Sequence, residues 1–353
     1  MAQLDEMLVY LKENDGSDLH LAAGLAPRIR AKGKIREIEG RSALDDGELR
    51  SLLEELASPK QWNEYVTTND LDFAYGVEGV ARFRANYFCQ ERGAGAVFRI
   101  IPEEIVSLVD LKLPAAVGEL ANLSEGLVLV TGPTGSGKST TLAAIINEIN
   151  TSQSKHIVTI EDPVEFVHQN RRAVFSHREV GSHTLGFGPA LRSAIRQDAD
   201  VILVGEMRER ETIALAITAA EMGMLVFGTL HTNNAMKTID RIIDAFPADE
   251  QNMVRLSLSE SLAGIVSQLL LPTSDGKGRI AANEILLKTP GLPNVIREGN
   301  GQMLNSIIQS GRAQGMQAMD DVLWAYCEAG KITPHDAYMK ASDKARFEAL
   351  IEN

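Results

Sequence analysis

The sequence predicts an α/β chain in two parts: a small α+β domain over residues 1–111, then a parallel-sheet domain with C-terminal helices over residues 112–353. Three observations carry that expectation. A phosphate-loop signature follows an apolar strand and opens a helix. After Gly126, four runs that are apolar on both faces alternate with helical stretches. Before Leu111, by contrast, the short runs alternate apolar and polar residues. Strands apolar on both faces need cover on both faces, which crossover helices supply, whereas alternating strands need cover on one.

In chain order, Leu4, Met7, Leu8 and Leu11 fall at i, i+3, i+4 and i+7, one face of a helix that Asn14 to Gly16 stop. The β-rich stretches "RIRAKGKI", "LDFAYGV", "ARFRANYF" and "GAVFRIIP" follow as strands with turns between them. "IPEEIVSLVDLKLPAAVGEL" reads as a linker running into a helix, punctuated by Pro102 and Pro114, with the boundary near Leu111. Then "GLVLVTG", "HIVTIEDP", "VILVGE" and "MLVFGTLH" read as buried parallel strands, whose carboxyl ends are where ligands bind in such sheets. Beyond Phe246 the chain is expected to be mainly helical, from "EQNMVRLSLSESLAGIVSQLLL" to "AMDDVLWAYCEAG".

Composition narrows the function classes. With 353 residues, 44% hydrophobic and 24% charged, the usage is that of a globular protein with a buried core. A formal net charge of -13 gives no global attraction to nucleic acid, so none is expected as a partner. Two cysteines, Cys89 and Cys327, are too few for a disulfide framework or a four-ligand zinc site and suit a reducing compartment. The N-terminus carries acids where a secretory signal needs basic residues, and no apolar run approaches membrane-spanning length. A soluble cytoplasmic protein is expected.

"GPTGSGKSTT" spans Gly132, Pro133, Thr134, Gly135, Ser136, Gly137, Lys138, Ser139 and Thr140 and completes the G-x-x-x-x-G-K-[ST] pattern. Glycines let backbone N–H groups wrap phosphates, the helix N-terminus adds partial positive charge, Lys138 reaches the terminal phosphates and Ser139 offers oxygen to magnesium. The cofactors expected are therefore ATP and Mg²⁺. The run Val201–Val204 leads through Gly205 to Glu206, a carboxylate placed to order the metal or orient an attacking water; the bland reading is a solvated acid opening the charged loop "EMRERE". A second strand end supplies Glu161 and Asp162, where a metal-site role and an Asp-Pro turn are both open. His231 closes another strand, either as a phosphate sensor or as a satisfied structural histidine. Arg82 and Arg84 share a strand face and Arg99 lies in "AVFRI"; they read as a solvated basic stripe, or as arginines delivered in trans to a neighbour's phosphates.

Taken together, "GPTGSGKSTT", "TIEDPVEF", "REVG", "ALRSAIRQDADVILVGEMRERETIALAITAAE", "FGTLHTNNA", "TIDRIIDAFP" and "GRIAANEIL" resemble the type II/IV secretion ATPase superfamily. The resemblance runs from "GSDLHL" to "GMQAMDDVL" and points to its type IV pilus retraction branch. It implies a PAS-like N-terminal domain, a RecA-like ATPase domain and a homo-hexameric ring. It also implies Lys138 and Ser139 in Walker A, Glu161 in an acidic box, Glu206 ending Walker B, and His231 in a histidine box. Arg82, Arg84 and Arg99 match the arginines that approach the nucleotide. Magnesium would be held by Ser139, with Glu206 and Glu161 acting through water. The work implied is pilin disassembly and twitching motility, driven from the cytoplasmic face of the inner membrane on a pilus platform protein, with a paralogous ATPase as a further partner.

Two positions depart from the family pattern: Met224 stands where a histidine is expected, and Pro293 lies within "GLPNVI", where the retraction-associated segment is expected. The departures leave an accessory paralogue as an alternative. An assembly or secretion ATPase fits less well, since those commonly carry a four-cysteine zinc module. A non-hydrolysing nucleotide switch in a hetero-ring and a DNA-translocating motor complete the rivals, and the acidic balance opposes the last.

Overall fold

The computed structural model of the chain describes residues 3–101 and 104–351. Pro102, expected to punctuate the linker, lies outside them. Two compact units make up the chain. The first runs to Glu104 and takes in Asp162–Val167; the second runs from Ile105 to Glu161 and resumes at His168. Leu111, where the sequence places the boundary, lies in a turn shortly after that division.

In the first unit, strands β1 (Gly16–Ala22), β2 (Arg28–Ala31), β3 (Lys34–Glu37), β4 (Asp70–Val77), β5 (Ala81–Gln90) and β6 (Gly93–Ile101) form one antiparallel sheet ordered β3-β2-β1-β6-β5-β4. Alternation decides its faces. Ala81, Phe83, Ala85 and Tyr87 of β5 are buried, so Arg82 and Arg84 between them point the other way. The β2–β3 turn places Lys32 and Gly33 at φ 48 and 78, the two positive values that a two-residue hairpin turn requires. Helix Gln3–Glu13 buries Leu4, Met7, Leu8 and Leu11, the face read from the sequence. Helices Asp46–Leu56 and Pro59–Thr68 both start on capping boxes, Asp45 with Glu48 and Ser58 with Gln61, which satisfy backbone N–H groups that the helices leave unpaired.

The second unit is built on β7 (Gly126–Thr131), β8 (His156–Glu161), β9 (Val174–Glu179), β10 (Val201–Val204), β11 (Leu225–Leu230), β12 (Leu262–Pro272) and β13 (Arg279–Leu287). They are ordered β13-β12-β7-β11-β10-β8-β9, all parallel except the antiparallel edge strand β13. Every residue of β7, β10 and β11 is buried. Val128 and Val130 of β7 pack with Leu142, Ile145, Ile146 and Ile149 of helix Lys138–Ser152. On the opposite face, Leu127 and Leu129 pack with Ile213 and Ile217 of helix Arg210–Glu221 and with Ile239 and Ile242 of helix Ala235–Asp244. Two such layers explain why these strands carry no apolar–polar alternation.

One sequence expectation is corrected here. "LAGIVSQLLL" was expected to be helical but forms β12: helix Gln251–Ser261 ends in an extended Leu262, and the chain enters the sheet beside β7. A continuous apolar run bounded by other elements is compatible with either a buried helix or a strand buried on both faces, so periodicity could not separate them. The sequence also left β9 unread, because "VFSHRE" is a half-buried, largely polar edge strand. Among the described residues, no helix is long and apolar enough to cross a membrane.

Candidate active site

The phosphate loop leaves the buried end of β7 and enters helix Lys138–Ser152. Its glycines are required by space as well as by φ. Gly132 sits at φ 146, and a Cβ there would lie 2.2 Å from the Gln268 carbonyl oxygen and 2.6 Å from Ser136 Oγ. Gly137, at φ 87, caps the helix, and a Cβ there would lie 2.8 Å from Gln268 Nε2. Gly135, at φ 78, opens outward together with Pro133 and Thr134. Lys138 Nζ donates to the carbonyls of Gly132 at 2.9 Å and Pro133 at 3.1 Å, while Ser139 and Thr140 lie half-buried in the first helical turn.

The loop's fit to phosphate rests on three features of this chain. The Ser136 hydroxyl is buried without a hydrogen-bond partner, a cost that a ligand oxygen or a water would remove. The glycines put no side chain into the loop's hollow, and a 15-residue helix directs its N-terminal N–H groups and dipole at it. ATP phosphates and a magnesium ion that reaches Ser139 therefore suit the residues present.

Two neighbouring strand ends bring carboxylates to the same edge of the sheet. Glu161 is the last residue of β8, directly followed by a bend at Asp162 and Pro163, so the strand end and the turn coexist. Gly205, just past β10, donates to the Ile160 carbonyl at 2.8 Å, and a Cβ on it would lie 3.3 Å from Glu161 Cα. Glycine thus lets the two strand ends close up, and Glu206 follows at once. Glu206 Oε1 lies 2.9 Å from His231 Nε2, an ion-pair distance when the imidazole is protonated, and pairs with Arg208 Nε. Thr229 on β11 ties the exit of β10 from both sides: its hydroxyl donates to Gly205, and its carbonyl accepts from Met207 N–H at 3.0 Å. The structure therefore joins His231 to Glu206, a pairing no sequence spacing could have specified.

Met224 lies elsewhere. It precedes β11, packs partly buried against the core, and is separated from His231 by the six residues of that strand, about 20 Å. The departure at this position is thus at the opposite edge of the sheet from the phosphate loop. Pro293 falls in the first turn of helix Leu292–Glu298, where its missing N–H has no intrahelical partner to lose.

Arg82, Arg84 and Arg99 belong to the first unit. Arg84 on β5 is directly paired with Arg99 on β6, Arg99 with Asp18 on β1, and Asp18 with Arg30 on β2. These pairings put one row of charges across four strands. Arg99 Nε donates to Asp18 Oδ1 at 2.7 Å, Arg30 Nε lies 3.8 Å from the other carboxylate oxygen, and Arg84 pairs with Asp72 at 3.2 Å. Burial pushes the Asp18 carboxyl up, but hydrogen bonds from Ser17 and Arg99 outweigh it and leave the group below its ordinary value. The Arg84 guanidinium is pushed up, mainly by its bond to Asp72.

Sequence reasoning missed Asp18 and Gln268. Asp18 stands in the quoted "GSDLHL", but its pairing with Arg99 spans 81 residues, and only strand register reveals it. Gln268 lay in a run expected to be helical. Glu284 on β13 was missed as well: burial raises its carboxyl, and it accepts from Ala235 N–H at 2.8 Å and Met319 N–H at 3.4 Å, the first residues of two helices.

A glycine-lined phosphate loop on a parallel sheet, with carboxylates at two further strand ends on the same edge, defines a P-loop domain of the doubly covered α/β class. The chain belongs to the type II/IV secretion system protein family, whose model matches residues 4–322. It is 48% identical over 344 residues to the type IV pilus retraction ATPase PilT of Pseudomonas aeruginosa, covering 98% of this chain and 99% of that one. It is 38% identical over 350 residues to the type IV pilus ATPase PilU of the same organism, covering 99% and 91%. The crystal structure of a pilus retraction motor, PilT with bound ADP, superposes with a TM-score of 0.91 at 43% identity, over 98% of both chains.

Proposed function

We propose that this protein is the ATP-hydrolysing motor of type IV pilus retraction, working as a homo-hexamer on the inner-membrane pilus platform protein from the cytoplasmic face. The observation that supports this most is similarity across both units, rather than at the phosphate loop alone, to a retraction ATPase. We assign residues 1–111 to a PAS-like domain that moves against a RecA-like motor domain, residues 112–353. A ring converts such rigid-body shifts into displacement of a bound platform.

In the proposed mechanism Lys138 exchanges the carbonyls of Gly132 and Pro133 for the terminal phosphates of ATP, and the Ser139 hydroxyl would hold the metal. Held there, magnesium would supply neutralisation of phosphate charge. Glu206 orients the attacking water, His231 holds that carboxylate through their 2.9 Å contact, and Glu161 acts from the next strand end through water. Arg82, Arg84 and Arg99 are offered to a neighbouring subunit's phosphates, where charge builds in the transition state. The greater identity to the retraction ATPase than to PilU favours the primary motor over the accessory paralogue.

The test is a deletion strain complemented with wild type or with Glu206→Gln, scored for surface pili and twitching, alongside phosphate release by the purified ring. Excess pili without twitching, rescued by wild type only, is expected. A bald deletion strain would reassign the protein to pilus assembly, and an unaltered one to an accessory role. A purified wild-type ring with no turnover would leave a nucleotide switch.

A further inference from the structure

We infer that Gln268 is a positioning residue that sets the phosphate loop in its binding conformation, an inference resting on the nucleotide-binding reading above. The neighbouring strand supplies the geometry. β12 runs parallel to β7 with Ser267 opposite Thr131, so Gln268 lies one residue past the end of β7, beside the start of the loop. Its side chain is buried, and its polar atoms join the loop to its helix. Nε2 donates to the Ser136 carbonyl at 2.6 Å, and Oε1 accepts from Thr141 Oγ1 at 2.8 Å. Asn283 Nδ2 on β13 donates to the same Oε1 at 3.2 Å, which fixes which end of the carboxamide faces the loop.

The consequence follows from peptide planarity. In a trans peptide the C=O and N–H point in opposite directions. Holding the Ser136 carbonyl toward Gln268 therefore turns the Gly137 N–H away from β12, toward the hollow of the loop, where a phosphate oxygen accepts it. The main chain of Gln268 acts at the other end: its carbonyl oxygen occupies the space a Cβ on Gly132 would need. One residue thus braces the first and the last glycine of the loop. A loop peptide without that brace can rotate about φ and ψ of Ser136 and Gly137, and the binding orientation has to be selected at the expense of affinity.

The experiment uses the full-length ring with Gln268→Met, which keeps length and apolar volume but cannot donate, and with Gln268→Asn, which stays polar but is one methylene too short to span Ser136 and Thr141. Equilibrium binding of ATP and ADP, KM, kcat and thermal unfolding with and without nucleotide are read for each. We expect Kd and KM to rise about tenfold, as for loss of one buried hydrogen bond. The nucleotide-induced rise in Tm should shrink, while kcat stays within about threefold. A lower Tm with unchanged Kd and KM in whichever variant folds would show a merely structural glutamine and overturn the inference. Absence of nucleotide binding by the wild-type ring would instead overturn the nucleotide-site reading itself.

Discussion

Replacing Asp18 by asparagine tests the charge row of the first unit. Asp18 is 4% exposed and sits between Arg30 and Arg99, and Arg99 in turn faces Arg84 directly. Like charges at directly opposed sheet positions repel, so the buried carboxylate is the group that makes the row tolerable. Asparagine keeps an acceptor for Ser17 but removes the charge from the 2.7 Å bond with Arg99. A hydrogen bond to a charged group contributes about 1.5–3 kcal/mol, and because the Arg99 side chain is 70% exposed, solvent screening places the loss near the lower end, about 1.5 kcal/mol. For a unit of this size that corresponds to a Tm lowered by roughly 6–12 °C. Hydrogen exchange at the β1 and β6 amides of the full chain measures it locally. The sign with pH is fixed: a carboxyl held below its ordinary value of 3.8 gives its full stabilisation above that pH and loses it as pH falls through the folded value. The gap between wild type and variant should therefore be complete at pH 7 and close in strong acid. Equal exchange rates at pH 7, or a gap that persists in strong acid, would refute the charge argument.

Lys138→Ala removes the ammonium that caps the Gly132 and Pro133 carbonyls and should weaken ATP binding about 10- to 100-fold by equilibrium titration, with the fold intact by circular dichroism. Gly132→Ala puts a methyl 2.2 Å from a backbone oxygen that cannot step aside, so about 2 kcal/mol of stability and most nucleotide affinity should be lost in parallel; an unchanged melting curve would contradict the close packing. His168 is buried, its ring stacks on Phe175 and its backbone N–H donates to His177 Nε2, and burial foremost, with His177 second, lowers its pKa from 6.5 to about 4. The unfolded chain binds the proton first, so stability should fall by about 1.4 kcal/mol per pH unit from pH 6.5 toward 4. Denaturant titrations across that range should show the slope, and His168→Phe should flatten it.

Local chemistry was the part of the fold and site that the sequence made legible. The phosphate loop, the helix face of Leu4 to Leu11 and the acid after Val201–Val204 each depend on neighbours in sequence, so spacing suffices. What stayed hidden depends on register. Arg99 could be read only as a basic residue in a strand until pairing set it opposite Arg84 and Asp18. Glu206 and His231 meet because β10 and β11 are adjacent, and that order follows from crossover connections no periodicity records. The error at β12 and the silence of Gln268 have one origin: a strand buried on both faces loses the alternation that marks strands, and a polar residue within it looks incidental.

The order of the strands also separates the roles of the site groups. Parallel neighbours end at one edge and stand about 4.8 Å apart, so position across the sheet is a measure of distance from the phosphate loop. From β12 to β8 the edge presents Gln268, the loop after β7, His231 after β11, Glu206 after β10 and Glu161 on β8. Glu206 stands two strand spacings from the loop strand, about 10 Å, and Glu161 three, about 14 Å. His231, just past the intervening strand, has its Nε2 2.9 Å from Glu206 Oε1, so the histidine and the nearer carboxylate are in contact. Of the two carboxylates, Glu206 thus stands nearer the loop strand and Glu161 one strand farther out. The same arithmetic makes the exchange at Met224 tolerable within the chain, since a residue ahead of β11 lies a full strand length from every one of these groups.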